Sequence, residues 1–181
     1  MRALGPGSVS SFLKVILDVV RWVLMVVAGA GALGLLVVLL LSFNPELLSS
    51  LIDVRALHLE GAALGPVLAA TLLAWELYMG GAIVIVGRLR RIFQTLIAGD
   101  PFHPANVRRL RIIGVALAVL ELGRYLTAAA LHVIAPMFHL GRLHVGGEIN
   151  LTTWFAVLAI VVLAEVFREG ARLRGEAELT I

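Results

Sequence analysis

Four long stretches of the chain are apolar with few exceptions, where a half-buried strand or a surface helix would alternate apolar with polar positions. Trp22–Phe43 contains no charged residue. Gly61–Gly87 is apolar apart from Glu76, Ile112–Ala135 apart from Glu121 and Arg124, and Ile149–Phe167 apart from Glu165. At 1.5 Å of rise per residue, runs of this length cross about 30 Å of hydrocarbon as helices. The pattern predicts an all-α integral membrane four-helix bundle. Its spans lie at approximately 22–43, 61–87, 112–135 and 149–167, within a single membrane domain, 1–181. The continuity of the runs argues against a barrel, whose strands alternate lipid-facing and lumen-facing residues.

The charges give the spans a direction. Arg2, Lys14 and Arg21 precede the first span. Arg88, Arg90, Arg91, Arg108, Arg109 and Arg111 fill the connection between the second and third, and Arg168, Arg172 and Arg174 follow the fourth. With four spans all of these fall on one side, leaving Arg55 and Arg142 on the other. The positive-inside rule then places both termini and the middle connection in the cytoplasm. The scattered charges ahead of Trp22, and an apolar run longer than a signal-peptide core, mark a retained first span.

The middle connection is more than a loop. In GRLRRIFQTLIAG, Gly87–Gly99, the apolar residues Leu89, Ile92, Phe93, Leu96 and Ile97 share a helical face. Gly99 is a C-terminal stop, Asp100-Pro101 a turn, and Pro104 suits the first turn of the next helix. The second and third spans should therefore form one long hairpin whose elbow, 88–111, projects into the cytoplasm. A tail, 168–181, leaves the membrane as a helix. Two readings of the basic side chains stand side by side. They anchor the hairpin to anionic headgroups, or they contact a cytoplasmic protein through Arg88, Arg90, Arg91, Asp100, Arg108, Arg109, Arg111, Arg168, Arg172 and Arg174. In the tail, Glu169, Glu176 and Glu178 are candidates to face those arginines.

GDPFHPANVRRLRIIG in the elbow and AEVFREGARLRGEAELTI at the C-terminus, together with four spans, resemble the bacterial membrane family named domain of unknown function 2975. The resemblance covers most of the chain. It implies a bacterial inner-membrane protein, often encoded beside a small Cro/C1-type helix-turn-helix regulator, and so a regulatory pairing. It brings no catalytic residues. The family often has acidic residues where Ala105 and Gly175 stand here.

Composition narrows the chemistry. The chain is 60% hydrophobic and 15% charged, and has no cysteine. Disulfides, thiolate metal sites and cysteine-attached haem are excluded. Nucleophile-elbow, P-loop and dinucleotide-binding motifs are absent, so an enzyme is not expected. The pI of about 10.2 reflects orienting arginines, and no direct nucleic-acid binding is expected. No cofactor is called for. His132, His139 and His144 are the only candidates for a metal site, and their spacing matches no metal-binding motif.

Charges inside the bilayer are functional candidates by default. Glu76 is about 18 Å inward of Arg88, Glu121 about 15 Å and Arg124 about 20 Å inward of Arg111. Arg124 is placed to bridge Glu121 and Glu76, either as a clamp between helices or as part of a proton or ion path or a ligand pocket with Trp75, Tyr78 and Tyr125 nearby. Asp18 and Arg21, three residues apart, are expected to pair. Small-xxx-small pairs at Ala28/Ala32, Ala30/Gly34 and Gly61/Gly65 allow close helix packing within the bundle or across a homodimer.

The expected function is a membrane-bound regulatory or sensory partner that holds a cytoplasmic protein on its elbow and tail, the helix-turn-helix regulator being the candidate. The alternative is a small channel or transporter subunit, dimeric to supply enough helices, that uses Glu76, Glu121 and Arg124.

Overall fold

The structure, a computed structural model, describes residues 9–42, 44, 64–134 and 148–178. Among them are four helices: α1 (Val9–Leu41), α2 (Leu64–Ile97), α3 (Pro104–Ile134) and α4 (Leu151–Glu178). All four are long and apolar enough to cross a membrane. The protein is therefore all-α and multi-pass. Large apolar side chains such as Leu33, Leu126 and Phe155 are exposed, as lipid-facing positions should be, since lipid supplies the apolar surroundings that water denies them.

Each helix outruns the apolar stretch that announced it, or stops a little short of it. α1 begins well before Trp22 and carries Lys14, Asp18 and Arg21 on its first turns, and α4 runs past Phe167 to Glu178. The apolar stretch reports where hydrocarbon ends, whereas the helix continues as long as its backbone bonds are made.

The turn between α2 and α3 is built as its residues suggest. Gly99 adopts φ +81°. Asp100 N–H donates to the Thr95 carbonyl at 3.0 Å and Gly99 N–H to the Leu96 carbonyl at 3.1 Å. This pair of bonds is a Schellman cap, which needs a left-handed residue at the position Gly99 holds. Pro104 opens α3, where its missing N–H costs nothing. His103 caps the helix: its Nδ1 accepts the Ala105 N–H at 3.1 Å.

The chain divides into two compact units. The first comprises Met1–Met25, Gly81–Glu121 and Asn150–Ile181. Segments of all four helices meet in it. Its core is Ile92, Leu110, Ile113 and Ala164, with Leu89, Leu96 and Phe167 packed against them. The second comprises Val26–Gly80 and Leu122–Ile149. There α1 and α2 approach closely at two small residues. A Cβ on Gly65 would lie 2.5 Å from Ser42 Oγ, and Gly31 is covered by Glu76 and Trp75. Gly31 is thus a close-packing position of the first span, while nothing lies within 4 Å of a Cβ on Gly34. Gly61 lies outside the described residues.

Candidate functional site

The elbow is organised around Asn106, which has no exposed surface. Its Nδ2 donates to Thr95 Oγ1 at 2.7 Å and to the Pro101 carbonyl at 3.0 Å. Its Oδ1 accepts from Arg109 at 2.8 Å. The same guanidinium nitrogen of Arg109 donates to the Arg91 carbonyl of α2 at 2.9 Å. One amide therefore ties the end of α2, the turn and the start of α3 together, with its donors and its acceptor all in use. A buried amide is tolerable on those terms only, because an unmet polar atom there carries its full desolvation cost.

The start of α4's extension is fastened to this elbow. Arg174 pairs with Asp100 at 2.5 Å. The Phe102 and Phe167 rings meet at 5.7 Å between centroids and tilt by 55°, a favourable aromatic arrangement. Gly170 lets the Phe102 ring lie against α4: a Cβ there would sit 2.5 Å from two ring carbons. The tail does run along the elbow, through Arg174 and Phe167, and the side chain of Glu178 lies outside the described residues. Glu169 and Glu176 both pair with Arg172 on α4 itself, because neighbours one helical turn apart meet at little entropic cost. Residues 179–181 lie outside the described residues. In a double-mutant cycle of Asp100→Ala and Arg174→Ala, the coupling energy should be below about 1 kcal/mol, since both side chains are substantially exposed and water screens the pair.

The basic side chains sort into two groups. Arg90 pairs with Asp18 of α1, Arg168 with Glu165, Arg172 with Glu169 and Arg174 with Asp100. Arg88, Arg91, Arg108, Arg109 and Arg111 have no carboxylate partner among the described residues. Arg109 lies ahead of the apolar run that starts at Ile112. Burial, and then the nearby guanidiniums of Arg91 and Arg88, lower its pKa from the ordinary arginine value. Asp18 is matched with Arg90 rather than with Arg21, its expected partner. An acid on α1 neutralises a cation on another helix and so holds the two helices together.

The proposed clamp of Arg124 on Glu76 is not formed. Arg124 donates to the Glu148 carbonyl at 2.8 Å and lies over the Tyr125 ring, 4.9 Å from its centroid. Glu148 stands just ahead of α4 in the chain, so Arg124 reaches toward a helix end instead of stopping at mid-depth. That is how a long cationic side chain escapes hydrocarbon. Glu76 turns toward Gly31 of α1, and its Oε1 is buried with no hydrogen-bond partner among the described residues. Glu121 is buried as well. His132 is exposed, while His139 and His144 lie outside the described residues. Among the described residues, no group of three metal-ligating side chains comes together.

The family model described as a protein of unknown function, DUF2975, matches residues 17–181. The chain belongs to the DUF2975 family. Neither a curated protein nor a solved structure matches it. The family match begins within α1 and covers both the elbow and α4 motifs. Inside those motifs, Asn106, Phe102 and Gly170 carry the geometry, yet a reading of charge passes over them. Their signal was present: an asparagine, a phenylalanine and a glycine amid arginines, at positions where topology alone asks for nothing of the kind.

Proposed function

We propose that this DUF2975 protein is a membrane-anchored docking platform whose basic end faces the cytoplasm, as the arginine distribution indicates. There it holds a regulatory protein, and the small helix-turn-helix regulator implied by the family resemblance is the candidate partner. The observation that carries this reading is an elbow ordered by buried Asn106 and fastened to α4 through Phe102–Phe167 and Asp100–Arg174. A hairpin held in place by headgroups alone has no need of a fully satisfied buried amide. A surface that must present the same shape to a partner does, because pre-ordering lowers the entropy cost of binding.

His103 and Arg108 are exposed on that surface, and Arg108 and Arg111 share one outward face of α3. The partner surface would be acidic. The regulator should co-purify with the wild-type protein in mild detergent. R108E/R111E, which breaks none of the fastening contacts, should weaken that association by roughly tenfold or more and change the transcripts the regulator controls. Failure of the wild-type protein to retain the regulator, or retention unaffected by the charge reversal, would dismiss the reading.

A further inference from the structure

Three of the arginines without a carboxylate are brought to one place. Arg88 and Arg91 stand one turn apart on α2. Arg109 of α3 is pinned beside them by its bonds to the Arg91 carbonyl and to Asn106. Like charges held together in a partly desolvated setting repel, and burial and each neighbour disfavour the charged form of Arg109 in turn. The fold nonetheless commits a buried amide to keeping Arg109 there. Nearby cations are handled differently: Arg90, Arg168, Arg172 and Arg174 each have an acid.

The position of the cluster decides what anion it suits. On α2, Arg88 directly follows the apolar run that ends at Gly87; on α3, Arg109 stands just ahead of the run that begins at Ile112. The Arg109–Arg91 bond sets these two ends side by side, so the cluster sits where hydrocarbon gives way to headgroups. Guanidinium forks match phosphate oxygens in shape as well as charge, and basic recesses between helices at this depth suit anionic lipid phosphates.

We propose that Arg88, Arg91 and Arg109 together bind the phosphate of an anionic phospholipid headgroup, as a specific site distinct from diffuse attraction to the membrane surface. This inference does not depend on any protein docking at the elbow tip.

The test uses the full chain in nanodiscs of phosphatidylcholine, titrated with phosphatidylglycerol or cardiolipin. Thermal stability and native mass spectrometry are the readouts. A saturable rise in stability and a retained anionic lipid are expected. R88Q/R91Q should raise the anionic lipid needed for half-maximal effect by roughly tenfold or more. R168Q/R172Q, which removes the same charge from arginines already paired, should leave it unchanged. Arg109 is kept, since it also holds the hairpin. R88K/R91K separates geometry from charge, because lysine keeps the charge and loses the fork, and it should bind at an intermediate level.

Equal weakening by R88Q/R91Q and R168Q/R172Q would reduce the effect to net charge and overturn the site. Stabilisation by inorganic phosphate in pure phosphatidylcholine, with none from anionic lipid, would reassign it to a soluble anion. Should R88Q/R91Q fail to fold, a non-saturating lipid response of the wild-type protein still refutes the proposal.

Discussion

Asn106→Leu should destabilise the protein by about 3 kcal/mol, measured by reversible unfolding in mixed micelles. The replacement is close in volume and would be harmless at a lipid-facing site. At this one it removes two donors and an acceptor from a position with no exposed surface. The Pro101 carbonyl loses its amide donor. Thr95 Oγ1 keeps its own bond to the Ile92 carbonyl at 2.7 Å, and Arg109 keeps the Arg91 carbonyl, so part of the network survives. Stranding a buried polar atom costs about 1–3 kcal/mol, more when the group is charged, and Arg109 is the charged member. Asn106→Asp should fall between wild type and Asn106→Leu, because the carboxylate still accepts from Arg109 but offers no donor to Thr95 or Pro101. Gln94→Leu, an exposed change on the same hairpin, is the control. If Asn106→Leu costs no more than Gln94→Leu, the amide is not what holds the elbow.

Gly170→Val is the second large effect and acts on the other fastening. Its Cβ alone would press into the Phe102 ring, so either α4 moves away or the ring swings out. Phe102 is 38% exposed, which leaves the ring room to swing and keeps the cost near the low end of the usual overpacking penalty of about 1–3 kcal/mol. Either response separates Phe102 from Phe167. Because the chain has no native cysteine, D100C/R174C offers a clean proximity probe across the ion pair. Cross-linking should be rapid in the otherwise wild-type chain and slow once G170V is added. Unchanged cross-linking together with unchanged stability would show that the ring contact does not fasten α4.

Much of the elbow was legible because its signals are local. Gly99 at a left-handed cap, Asp100-Pro101 in the turn and Pro104 on the first turn of α3 each follow from what one residue's backbone permits. The same locality explains a misplaced partner. Asp18 was read with Arg21, because spacing along one helix is visible in a sequence. The pairing of Asp18 with Arg90 depends instead on which helices are neighbours and in what register. Arg124 shows a further limit: its depth was counted along its own helix, whereas its long side chain also donates to a carbonyl remote in the sequence, that of Glu148.

By itself, then, the sequence determined that four helices cross the membrane, that the second and third form a hairpin turning at Gly99, and that cations gather at one end. These follow from continuous hydrophobicity, backbone conformational limits and charge position, none of which needs a neighbour. Only the tertiary structure decided that the elbow and α4 fasten to each other, that Asn106 is the buried tie within the elbow, and that Arg88, Arg91 and Arg109 are left together without an acid. Those outcomes depend on which side chains meet across helices, and a hydrogen bond or ion pair between distant residues leaves no periodicity in the chain that encodes it.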